Sequence, residues 1–160
     1  GPGILARQRK HVRKLENFEP MTIVKRASCF LLKQGPVTGE ERWEEHGGYS
    51  PSTFAALISA FICAAAFVRE AEEEDTARFL ESYADYLRSH LEDWMVTTEG
   101  SLLDDVKRYY IRLNPAKPGE VPAPGSVNTA ELKLTSREPG APESYPARNR
   151  VDGGFLQLVR

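Results

Sequence analysis

The stretch SPSTFAALISAFICAAAFV, residues 50–68, decides the fold class. Ser50-Pro51 is a helix opening, with Ser in the N-cap position and Pro in the first turn, where its missing N–H costs nothing. Phe54, Leu57, Ile58, Phe61, Ile62, Ala65 and Val68 follow at helical spacing. Ala55, Ala56, Ala60, Cys63, Ala64 and Ala66 fill much of the remaining circumference. A helix with almost no polar face is expected to be surrounded by protein.

Downstream, Phe79, Leu80, Tyr83, Tyr86, Leu87, His90, Leu91 and Trp94 recur at i, i+3, i+4 and i+7, while Arg78, Glu81, Asp85, Arg88 and Glu92 occupy the other face. This predicts one amphipathic helix over 76–95 with a single buried stripe, His90 included as a core histidine. The acidic run Glu70 to Asp75 between the two reads as a solvated turn, with Asp75 as a cap. An inner helix followed by an outer one is the unit of an all-α array of hairpins.

Working outward, Pro20 to about Lys33 is predicted as a further helix, carrying Met21, Val24, Cys29 and Leu32 and stopped by Gly35-Pro36. Residues 1–16 carry five Lys/Arg before the first acid, Glu16, and read as a basic flexible arm distinct from a domain over 17–160. Tyr109 to Leu113 reads as one short strand. Seven of the eleven prolines fall between Pro115 and Pro146, which predicts a long irregular loop over 114–150. Val151 to Arg160 reads as the first turns of another helix.

Composition excludes several classes. The 160 residues are 41% hydrophobic and 28% charged with a net charge of -2, so no global field recruits nucleic acid. Cys29 and Cys63 lie in apolar segments without metal-ligand spacing and read as buried thiols. His11, His46 and His90 form no H-E-x-x-H pattern, and there is no phosphate loop or calcium-ligand spacing, so neither metal nor cofactor is expected. The basic start lacks the apolar core of a secretory signal. The apolar run Phe54 to Val68 is too short to span a bilayer, so no membrane partner is expected and the default compartment is the cytoplasm.

Chemistry concentrates before the first quoted helix. Glu40, Glu41, Glu44 and Glu45 bracket Arg42 and Trp43, ahead of Gly47-Gly48-Tyr49. Cleaving a glycosidic bond requires a carboxyl that keeps its proton for the leaving oxygen, and an aromatic wall beside it disfavours the ion. Trp43 is the candidate for such a wall beside Glu44, and a solvated acidic surface is the alternative that composition alone leaves open. Glu45, as a neighbouring like charge, raises the proton affinity further and accepts hydrogen bonds from sugar hydroxyls.

The run Arg42-Trp43-Glu44-Glu45-His46-Gly47-Gly48-Tyr49-Ser50-Pro51-Ser52-Thr53 closely resembles the general-acid segment of bacterial and archaeal family 15 glycoside hydrolases, the glucoamylase and glucodextranase family. Lys33 to Thr38, Trp94 to Gly100, Arg108 to Arg112 and Val151 to Arg160 are similar to further family blocks in the same order. The resemblance implies a fragment of an (α/α)6 toroid and an inverting hydrolysis of α-glucan oligosaccharides. Glu44 is then the general acid, Trp43 and Glu45 line the subsites beside the scissile bond, and Arg42 and Tyr49 assist in sugar contacts.

Twelve helices with their connections require on the order of 200 residues, so this chain does not close the toroid. The family's general base lies in a later loop, and no residue here matches it. The expectation is therefore a partial catalytic domain, inactive alone, that depends on a complementing polypeptide. The alternatives are a non-catalytic helical interaction module derived from the same fold, and a trehalase-type member of the family.

Overall fold

The computed structural model describes residues 19–39, 46–133, 139–140 and 142–159. The basic arm therefore lies outside the described residues, as do Glu40, Glu41, Arg42, Trp43, Glu44 and Glu45.

Helix α1 (Pro20–Gln34) begins with its proline in the first turn and ends at Gly35, whose N–H reaches the Leu31 carbonyl at 2.8 Å. Strand β1 (Gly48–Tyr49) leads through Ser50 into α2 (Pro51–Glu70). Ser50 has the extended backbone of an N-cap residue, but its hydroxyl shares a hydrogen bond with the Ser52 hydroxyl (2.9 Å) instead of capping an N–H. Helix α3 (Glu74–Ser89) follows a three-residue turn. The cap position belongs to Glu73, two residues earlier than expected, and Asp75 sits inside the first turn, paired with Arg78 at 2.6 Å.

α2 and α3 run antiparallel, because Phe54 meets Trp94, Phe61 meets Tyr83 and Arg69 meets Glu74. Between them Phe54, Leu57, Phe61, Ala65 and Val68 pack on Ala77, Leu80, Ala84 and Leu87. Alanines at 65, 77 and 84 let the helices approach closely. Each fully buried Phe stabilises the hairpin by roughly 1.5–3 kcal/mol. The turn end is tied by Arg69, which forks onto Glu81 (2.7 and 2.8 Å) and also reaches Glu74.

Three sequence expectations change here. The amphipathic stretch is not one helix: it breaks at His90 and resumes as α4 (Leu91–Met95). In an uninterrupted helix the Tyr86 carbonyl would accept the His90 N–H. Instead it accepts the Ser89 hydroxyl (2.8 Å) and His90 Nδ1 (2.8 Å), while the His90 N–H turns to Leu87. Phe79 and Tyr86 also leave the buried stripe and stand 56% and 44% exposed, because Ala77, Leu80, Ala84 and Leu87 occupy its centre. Finally, both cysteines are exposed: Cys29 faces out from α1, and Cys63 lies with Ala56, Ser59 and Ile62 on an uncovered face of α2. Helix α2 is thus covered on one side, where α3, α1 and the final turn of chain pack, and open on the other.

At 20 residues α2 is also long and apolar enough to cross a membrane by length and composition alone, so length does not exclude a span as the apolar run had suggested. Pro51–Thr53 and Arg69–Glu70 extend the helix beyond that run.

From Val96 the chain builds small antiparallel pairs: β2 (Val96–Thr97) with β3 (Tyr109–Tyr110), then β4 (Asn114–Pro115) with β1. The segment expected as an irregular loop carries α5 (Ser126–Thr129), the hairpin-like pair β5 (Glu131–Lys133) and β6 (Ser144–Pro146), and a 3-10 turn, Ala147–Asn149. These enclose a second small core of Ile111, Leu113, Val127, Leu132 and Ala147. Asn128 joins the two cores: its side chain accepts from the Thr97 hydroxyl (2.8 Å) and the Thr98 N–H (3.0 Å). The last element is a 3-10 helix, Gly153–Val159, where helical turns were expected; it packs on α2.

Candidate active site

The chain is drawn together on either side of the carboxylate-rich segment, at a closed neck. Thr38 and Gly48 exchange both backbone hydrogen bonds at 2.9 Å, bringing the two ends of the segment together. Glycine is required at the neck for two reasons. A Cβ on Gly47 would stand 2.7 Å from the Gly39 carbonyl oxygen, and one on Gly48 would stand 2.3 Å from that of Asn114; Gly48 also has φ 154°.

Residues 114–133 hold this neck from three directions. Strand β4 pairs with β1, setting Gly48 opposite Pro115 and Tyr49 opposite Asn114. The Tyr49 hydroxyl donates to the Glu120 carbonyl at 2.6 Å. His46 Nε2 donates to the Lys133 carbonyl, which fixes the proton on that nitrogen because a carbonyl only accepts. Beneath the neck, the Asn114 amide donates to the Trp94 carbonyl at 2.9 Å and is fully enclosed.

Of the residues proposed from sequence, Arg42, Trp43, Glu44 and Glu45 lie outside the described residues. Tyr49 is placed: it is 2% exposed, with its ring against Trp94 (5.0 Å, edge-on) and Phe54 (5.7 Å). Burial, with the neighbouring Tyr86 and Tyr83 hydroxyls and Glu120, raises its phenol above the ordinary range. Its visible part is therefore to seat the neck. It also lines an open cavity of about 450 Å³ beside the neck, together with Gly35, Pro36, Tyr83, Tyr86 and Trp94.

The sequence reading did not single out Asn114, Glu120 and Lys133. Two of them act through backbone carbonyls, which leave no mark in side-chain identity. A polar residue immediately before Pro115, in an otherwise apolar run, was the one available signal for Asn114. Among the described residues no cluster of His, Cys, Asp or Glu is arranged to hold a metal ion.

Comparison with known proteins agrees with the helical fold. Residues 8–160 match the model of the family described as glycosyl hydrolases family 15. A glucoamylase from Clostridium sp. (strain G0005) is 33% identical over 139 residues, covering 87% of this chain and 18% of that protein. A crystal structure of a bacterial glucoamylase complexed with acarbose superposes with a TM-score of 0.67 at 32% identity, over 85% of this chain and 18% of that one. The helical hairpin and its neck thus correspond to part of the glucoamylase (α/α)6 toroid, and the chain belongs to glycoside hydrolase family 15.

Proposed function

We propose that this chain carries the general-acid portion of an inverting glucan α-glucosidase domain that releases glucose from α-glucan oligosaccharides. Glu44 is the acid, Trp43 and Glu45 line the subsites beside the scissile bond, Arg42 contacts the sugar, and Tyr49 contributes its ring edge to the adjoining wall. The observation that supports the reading is the double hydrogen bond between Thr38 and Gly48, which joins the residues flanking the carboxylate segment just before the N-terminal end of α2. The bound acarbose in the similar glucoamylase supports an oligosaccharide as the ligand.

Inversion needs a second carboxylate about 6.5–9.5 Å from the acid, with the attacking water between them. The resemblance read from the sequence assigns the base to no residue of this chain, and the chain spans 18% of the relatives it matches. A complementing stretch of polypeptide supplies the base and covers the open face of α2, and the chain alone turns over little or no substrate. Glucose release from maltooligosaccharides tests this. The isolated chain is expected to be inactive, and addition of a polypeptide carrying the remaining helices is expected to restore turnover. Full activity of the isolated chain would overturn the division of acid and base.

A further inference from the structure

At the break at His90 an aromatic ladder runs from the hairpin core to its surface, where Tyr86 is exposed. Tyr83 stacks on Tyr86 (6.0 Å), and His90 lies between Tyr86 and Trp94, 4.4 Å from each ring. The loop through Val121 and Pro122 stands opposite, and between them is a cleft of about 490 Å³, within the range of small-molecule sites. This cleft shares Tyr86, Trp94 and Val121 with the cavity beside the neck, so the two adjoin.

Two polar side chains in the cleft, His90 and Asp93, offer acceptors. His90 donates from Nδ1 to the Tyr86 carbonyl, so the neutral ring keeps its lone pair on Nε2. Asp93 lines the same cleft, is exposed, and makes no hydrogen bond or ion pair with any described residue. Tyr86 keeps 44% of its surface exposed despite three ring neighbours, and Val121 keeps 64%. A partly exposed aromatic wall flanked by acceptors suits a ligand with an apolar face and a rim of hydroxyl donors. A pyranose ring has both, whereas a lipid tail would leave the carboxylate unused.

We propose that this cleft is an auxiliary α-glucan-binding groove, in which Tyr86 supports one sugar ring while Asp93 and His90 accept its hydroxyl hydrogens. The choice of α-glucan rests on the functional reading above. Because the neck cavity adjoins the cleft, one oligosaccharide can reach both.

The test is an NMR titration of the isotope-labelled chain with maltoheptaose, with cellohexaose as the β-linked control. Trp43 and Trp94 give separate indole N–H signals. Saturable shifts at Trp94 and Val121 with the α-linked sugar are expected. Tyr86→Ala should weaken them about tenfold. Asp93→Asn, a surface change that leaves melting unaltered, should weaken them several-fold. Cleft signals that do not move at millimolar sugar, or that respond equally in both variants and the parent, would overturn the proposal. Shifts confined to Trp43 would also overturn it while leaving the general-acid reading intact. Cleft binding without glucose release from the complemented domain would sustain the groove and sink that reading instead.

Discussion

The Tyr49 hydroxyl donates to the Glu120 carbonyl at 2.6 Å across 71 residues of chain, locking the neck of the carboxylate loop to the segment that follows the helical hairpin. The ring below that hydroxyl belongs to the hairpin core, against Phe54 and Trp94. One side chain thus joins the packing of the fold to the position of the loop.

Tyr49→Phe keeps the ring and deletes the bond. A net loss of about 1 kcal/mol is expected in urea unfolding. Tyr49→Ala also removes a core ring and is expected to cost roughly 3–5 kcal/mol. Equal effects from the two would show that the ring contributes little.

Gly48→Ala forces a Cβ to within 2.3 Å of the Asn114 carbonyl oxygen at a φ that L residues rarely adopt. The backbone of β4 has to move, so the expected loss is at least about 2 kcal/mol. Gly39→Ala, with nothing within 4 Å, is the control and should change stability by less than about 0.5 kcal/mol. Thermal melts of the two variants check the contrast.

Alkaline pH should destabilise the chain through its tyrosines. Burial raises the Tyr49, Tyr83 and Tyr110 phenols above their ordinary value, with neighbouring phenols adding for Tyr49 and Tyr83 and the Glu92 carboxylate for Tyr110. A raised folded-state pKa gives stability that is fully present below the unfolded value of about 10 and is lost as pH rises through the folded values. The urea midpoint should be level from about pH 8 to 9.5 and fall above about pH 10. Tyr110→Phe should reduce the fall, and an unchanged slope in that variant would remove Tyr110 from the account.

Ile62 is 47% exposed on the open face of α2 beside Cys63. Ile62→Lys is expected to leave the melting temperature of the isolated chain nearly unchanged and to lower its self-association, read by light scattering. The same substitution should impair assembly with a complementing polypeptide. Strong destabilisation of the isolated chain would mean that the face is already covered.

Much of this architecture was legible because hydrophobic period and helix punctuation act locally. Pro20, Gly35 and Pro51 mark real helix ends. The break at His90 was not legible, because it depends on Ser89 and His90 side chains competing for one carbonyl, a choice that periodicity does not register. The small core around Ile111, Leu113 and Leu132 was hidden by its prolines, which punctuate two- and three-residue strands as readily as they mark a loop. Cys63 was read as buried because α2 is apolar all round, yet within this chain only one side of that helix is packed. At the site, the order of residues around Trp43-Glu44-Glu45 identified the family. The carbonyl groups of Glu120 and Lys133 that hold the neck became visible only in three dimensions.

The central claim is that Glu44 protonates the leaving oxygen, and a leaving group that needs no proton tests it directly. The complemented domain should be compared with its Glu44→Gln variant on maltotriose and on α-glucosyl fluoride. Loss of about 10²–10⁴-fold on maltotriose with little loss on the fluoride is the predicted result. An equal loss on both substrates, or none on either, would contradict the assignment of Glu44 as the general acid.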